Sequence, residues 1–189
     1  MQRIKCCIIG DPGVGKTSFI HSYMDKSIDN IKTTMGVDFF SKSLYIKDSH
    51  VRLTIWDTAG AERYQSLMHS YLRDSQIIVI AFDVSKKEIS IVKYLHMVES
   101  YKAKVVCITG IKNDLTSFSH NLTDIIEPWK RNNWNILVSK CSTRQKSSVK
   151  LVMENAIKAS IEQAPAREKK TPNFTIFIKR PHKTQKCCT

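Results

Sequence analysis

Apolar positions along this chain fall into two alternating rhythms. Short runs rich in β-branched residues recur at Lys5–Ile9, Asp38–Ile46, Val51–Trp56, Gln76–Phe82, Lys104–Thr109 and Ile136–Val138, and these read as strands. Between them, spacings of three and four mark helices at Lys16–Met24, Tyr64–Leu72, Lys86–Tyr101, Thr123–Asn132 and Ser147–Ile161. One face of the third helix carries Ile91, Leu95, Val98 and Lys102; one face of the last carries Val149, Val152, Met153, Ala156, Ile157 and Ser160. Pro128 predicts a short or late-starting fourth helix. The order βαββαβαβαβα predicts an α/β fold of three layers. Its six-stranded sheet is parallel apart from an early antiparallel hairpin turning near Lys47-Asp48-Ser49-His50. Such sheets take ligands beyond the carboxyl ends of their strands. Periodicity stops after Ala164-Pro165, which divides the chain into a folded domain, residues 1–164, and a flexible tail, residues 165–189.

The loop after the first strand is chemically specific. Gly10-Asp11-Pro12-Gly13-Val14-Gly15-Lys16-Thr17-Ser18 fits G-x-x-x-x-G-K-[ST] in full and stands between a strand and a helix, as the motif requires. Successive backbone N–H groups form an anion nest, and the following helix adds its positive end. Lys16 is expected to reach the β and γ oxygens of a nucleotide, and Thr17 to offer its hydroxyl to Mg²⁺. Asp57, at the end of the third strand in Trp56-Asp57-Thr58-Ala59-Gly60, is placed to hold Mg²⁺ through water, and Gly60 to turn its N–H onto a γ-phosphate. Thr34 lies between the first helix and the second strand. A hydroxyl there can close onto Mg²⁺ and γ-phosphate when GTP is bound, which makes an order–disorder switch.

Composition narrows the setting. No apolar run reaches membrane-span length, and the chain opens directly on a strand, so no signal peptide is expected. Cys6, Cys7 and Cys107 sit in strand-like runs as small buried hydrophobes, and no cysteines have zinc-site spacing; a reducing, cytosolic setting follows as an expectation. The net charge is +13. From Ala164 onward seven basic residues face one acid, which puts +6 in the tail and leaves +7 to the rest. No helix-turn-helix, finger or RNA-binding aromatic signature accompanies that charge, so anionic membrane is preferred to nucleic acid as the tail's partner.

Taken together, residues 4–163 resemble a small GTPase of the Ras superfamily, and within it the Rab family, as a divergent member. Met35-Gly36-Val37-Asp38-Phe39 is similar to the Rab effector loop, and Leu53–Tyr64 to the Rab strand and second switch; Ser70–Arg73 and Ile80–Val84 match more loosely. The resemblance implies a switch in vesicle trafficking with GTP/GDP and Mg²⁺ as cofactors. It implies that Phe39, Trp56 and Tyr71 are aromatics read by effectors, and that an exchange factor and a GTPase-activating protein act on a monomer. Lys16, Thr34, Gly60 and position 61 would form the catalytic set. Lys186-Cys187-Cys188-Thr189 resembles the Rab ending that carries two geranylgeranyl groups. That implies prenylation escort and extraction proteins, and anchoring at the cytoplasmic face of an intracellular membrane with a cytosolic pool.

Departures from the family pattern matter as much. The family's Gln after Asp-Thr-Ala-Gly, which orients the attacking water, is Ala61 here, so slow intrinsic hydrolysis is expected. The base-recognition pattern Asn-Lys-x-Asp stands as Ile111-Lys112-Asn113-Asp114. Asp114 can still accept guanine N1–H and N2–H, and Lys112 can lay its stem along the base. The Asn that ties this loop to the phosphate loop is lost at Ile111. The segment that supports guanine O6 is read as Ser139-Lys140-Cys141, and Ser27 and Ile28 stand where a stacking aromatic is usual. Weaker, faster-exchanging nucleotide is expected. A rival reading follows from the same residues: a non-cycling scaffold, fixed in one nucleotide state, that only docks partners. A phosphate-loop kinase or ATPase fits poorly, since no acceptor-substrate site is evident.

Overall fold

A computed structural model describes residues 1–59, 65–115, 122–130 and 135–162. Strand β1 (Gln2–Ile9) leads through the phosphate loop into α1 (Lys16–Tyr23). The hairpin β2 (Val37–Ile46) and β3 (Ser49–Thr58) follows, then α2 (Gln65–Leu72), β4 (Ile77–Asp83), α3 (Ile91–Val98), β5 (Val105–Ile111), α4 (Thr123–Lys130), β6 (Ile136–Lys140) and α5 (Lys146–Glu162). The strand order β2-β3-β1-β4-β5-β6 is parallel except for the β2–β3 pair. Ile46 pairs with Ser49 across the turn Lys47-Asp48, where Lys47 takes a φ of 51°. Chain direction in the sheet reverses at β1: the hairpin is laid down on one side of it and β4 on the other. The carboxyl end of β1 is therefore the topological switch point, where such sheets open a crevice.

Two apolar layers sandwich the sheet. One joins Phe19, Ile20 and Val14 to Val152, Met153 and Ile157 beneath Ile4, Ile8, Leu53 and Ile55. The other joins Met68, Leu72, Leu95 and Val98 to Ile78, Ile80 and Ile108. β4 and β5 are buried at every position because helices cover both their faces. β2 alternates because helices cover only one of its faces. Cys6, Cys7, Cys107 and Cys141 are buried, unpaired thiols, and burial pushes Cys7 and Cys141 up to about 12. No helix among the described residues is long and apolar enough to cross a membrane.

Helix α3 is half the length its periodicity suggests. The Asp83 carboxylate accepts from both the backbone N–H and the hydroxyl of Ser85, at 3.0 and 2.6 Å, and this local turn delays the helix to Ile91. At its other end Tyr101 N–H closes a three-residue turn on Val98 O, so Lys102 lies beyond the helix and is exposed rather than on its buried face. Pro128 lies inside the short α4.

Candidate functional site

The loop after β1 takes backbone conformations that require glycine. Gly10 has a φ of 149°, and a Cβ there would stand 2.2 Å from Ala81 O of β4. Gly15, at φ 103°, caps α1 in the left-handed region. Only glycine relieves both conditions at Gly10. Gly10→Ala is therefore expected to cost about 2 kcal/mol or more in thermal unfolding, against about 1 kcal/mol for Gly13→Ala, where φ is 73° but no atom approaches within 4 Å. Equal costs at the two sites would refute the close-approach argument. Val14 anchors the loop in the core, and Tyr94 Oη donates to Asp11 Oδ1 at 2.9 Å, tying it to α3. Ser18 follows in the first turn of α1.

The loop folds around Lys16. Its ammonium donates to Gly10 O at 2.8 Å and Asp11 O at 3.0 Å, and the side chain is almost fully buried. Burial lowers its pKa, and the nearby Asp57 and Asp11 carboxylates work against that. A cavity of about 230 Å³ opens over the loop, walled by Gly13, Gly15, Lys16, Thr17 and the incoming segment 31–34.

Three oxygens from three separate elements meet beside Lys16. Thr17 Oγ1 donates to Asp57 Oδ2 at 2.7 Å and stands 2.8 Å from Thr34 Oγ1, which lies 3.4 Å from the same carboxylate oxygen. Asp57 is fully buried, and its Oδ1 has no hydrogen-bond partner among the described residues. Burial raises its pKa, against the pull of the Thr17 hydroxyl and Lys16. An all-oxygen set with one carboxylate suits a hard cation that keeps waters and takes its remaining ligands from phosphate. The orphaned Oδ1 is what a carboxylate accepting from a metal-bound water would leave, so these residues fit Mg²⁺. Ala59 N–H donates to Gly36 O at 2.9 Å and joins the two segments that flank the cluster.

The base side corrects the sequence reading. Ser139 and Lys140 belong to β6. Ser139 Oγ lies 3.0 Å from Thr109 Oγ1, and Lys140 pairs with Gly110, so neither stands at Asp114. The segment that reaches Asp114 is 142–144, just past the strand end. A Ser142 hydrogen bond holds Asp114 below the usual carboxylate range, and Arg144 Nη1 lies 3.6 Å from Asp114 Oδ2. The signal was available, since ligand loops follow the carboxyl ends of strands instead of forming part of them.

Ile111 is buried at the end of β5, and its Cγ2 lies 3.4 Å from where a Cβ on Gly15 would stand. The polar tie runs instead through Lys112, whose ammonium donates to Gly13 O at 3.0 Å and to Asp83 Oδ2 at 2.6 Å. Burial alone would raise the Asp83 pKa; the Lys112 and Ser85 hydrogen bonds outweigh it and hold the carboxyl below its usual range. The bridge is thus complete above the ordinary carboxylate pKa and is lost as pH falls through the lowered one. We expect Asp83→Asn to speed GDP release about fivefold at neutral pH. Stopped-flow release should also show less acid acceleration in the variant than in the parent. An unchanged rate would mean that the bridge carries none of the loop's hold.

Phe39, Trp56 and Tyr71 come together on one face of the sheet, over the β2–β3 pair. Ring centroids are 6.0 Å apart for Phe39–Trp56 and 5.9 Å for Trp56–Tyr71, and Phe39 is 71% exposed. Gly60, Ala61, Cys187 and Cys188 lie outside the described residues. The protein-family model of the Ras family matches residues 5–162, which span β1 through α5. A phosphate loop at the switch point, a buried carboxylate–hydroxyl cluster beside it and this match agree: the chain belongs to the Ras family, whose members are small GTP-binding switches.

Proposed function

We propose that this chain is a Rab-like switch, anchored by a doubly geranylgeranylated Cys187–Cys188 end, that recruits effectors at a trafficking membrane. The observation that carries the switch is the meeting of Thr17, Thr34 and Asp57. Thr34 belongs to the segment that precedes β2, so whatever fills the phosphate loop decides where that segment rests. Phe39 is the third residue of β2, close to Thr34 in sequence, and couples the segment to the aromatic surface.

Within this reading the backbone N–H groups of residues 13–18 and the Lys16 ammonium hold the phosphates of GTP or GDP. Thr17, Thr34 and Asp57 hold Mg²⁺, which when bound neutralises charge between phosphate oxygens. Asp114 accepts from guanine, with Ser142, Thr143 and Arg144 as the loop beside it, and Lys112 fixes the base loop on Gly13. The membrane part rests on the Cys-Cys-Thr ending and the +6 tail.

Competition against a fluorescent GDP analogue tests the core of the proposal. GTP and GDP should displace it with Mg²⁺ dependence, and ATP should not. Equal displacement by ATP and GTP would sink the reading. Ala61 favours a second reading, the non-cycling scaffold, which single-turnover hydrolysis separates from the first.

A further inference from the structure

Among the described residues the helices leave one large part of the sheet open: the outward face of β1, β3 and β2 on the side of α2. Its register aligns cations. Arg3 pairs with Arg52 across β1 and β3, and Lys5 pairs with Thr54 one step further along. Arg52 in turn faces Ser43 on β2. Like charges at directly paired positions destabilise a sheet. Among the described residues nothing offsets this: no outward position of the three strands is acidic, and Arg3 has no ion pair. Among the described residues Arg52 makes a long 3.4 Å contact with Ser41 Oγ. Asp74 lies at the rim, 3.7 Å from Arg73.

Between these cations and the aromatic cluster the surface dips. A depression of about 290 Å³ is lined by Arg3, Lys5, Thr54, Trp56 and Gln76, and Lys5 Nζ stands 4.6 Å from the Trp56 ring centroid. The exposed Phe39 continues the patch on one side and Tyr45, 74% exposed and stacked on His50, on the other.

We infer that this face docks an acidic segment of a partner protein, its carboxylates on Arg3 and Arg52 and its apolar side chains in the depression beside Trp56. The inference rests on the proposed effector reading and supplies the partner's chemistry. Charge complementarity selects the occupant. The chain's own tail carries +6 and is a poor electrostatic match for this face. A membrane surface is a poorer match, because lipid-binding patches cluster about four to eight Lys or Arg, whereas this face spaces its cations among serine and threonine around a hollow.

The test uses the full chain loaded with a non-hydrolysable GTP analogue and a labelled peptide of alternating glutamate and phenylalanine. Its lysine–phenylalanine counterpart and phosphatidylcholine–phosphatidylserine vesicles are run in parallel. The acidic peptide should bind, weaken with salt, and lose at least about tenfold in affinity in Arg3→Glu/Arg52→Glu, with vesicle binding unchanged. A second variant, Arg3→Gln/Arg52→Gln, should also weaken the peptide while raising the unfolding midpoint, since it removes the facing charges. No acidic-peptide binding, equal binding of the lysine peptide, or insensitivity to both variants would overturn the inference. So would an effect of the variants on vesicles instead. Fluorescent GDP binding is read on the same samples: its failure overturns the proposed switch, whereas a failure of the peptide alone overturns only the docking face.

Discussion

Replacing Lys16 with alanine is expected to lower GDP and GTP affinity by about two-hundredfold. The estimate takes two lost charge-assisted hydrogen bonds at about 1.5 kcal/mol or more each. Geometry makes the loss specific. The ammonium is buried under its own loop and bound to Gly10 O and Asp11 O, which hold it at the anion nest. Little ordering cost then remains to be met on binding. Removal also deprives the buried Asp57 carboxylate of a neighbouring cation that holds its pKa down. Lys16→Arg should not rescue, because a planar fork does not fit a pocket shaped around a point charge. Equilibrium titration with a fluorescent nucleotide reads the affinity, and the unfolding midpoint on the same samples separates a lost site from a lost fold. Full affinity in Lys16→Ala would remove Lys16 from the phosphate site.

Most of the sheet was legible because strand burial writes itself into composition. β4 and β5 are covered on both faces and read as continuous apolar runs; β2, covered on one, reads as an alternation. The phosphate loop was legible because its backbone demands glycine at fixed places, and Gly10 and Gly15 carry the positive φ values that explain them. What escaped depended on contacts between distant residues. Asp83 and Lys112 stand 29 positions apart, so their role in tying the base loop is visible only once β4 and β5 are side by side. The same Asp83, through Ser85, shortened α3, an effect that helical periodicity cannot register because it counts apolar positions and ignores a competing side-chain turn. The misplaced base-side segment was an error of strand length. Ending β6 at Val138 left Ser139 as the next polar residue, but pairing with β5 carries the strand on to Lys140 and moves the loop to Ser142.

Restoring glutamine at position 61 is expected to raise the intrinsic rate of GTP hydrolysis about tenfold or more, equivalent to about 1.4 kcal/mol in the barrier. The methyl of Ala61 can neither accept a hydrogen bond from the attacking water nor donate one to the charge that develops on phosphate. Stabilisation in the parent chain would then fall to Lys16, to a Mg²⁺ that Thr17, Thr34 and Asp57 would hold, and to backbone N–H groups. The gain belongs to the transition state, so nucleotide affinity should barely change. The departure at Ile111 acts on the base side, packed beside Gly15, and should not mask the effect. Single-turnover hydrolysis of preloaded GTP measures it directly. A tenfold rise means that the catalytic surroundings are intact and wait on one side chain, whether supplied here or in trans by an activating protein. An unchanged rate means that the degeneracy extends past position 61, and the chain is then better read as a scaffold that holds its nucleotide and docks partners without cycling.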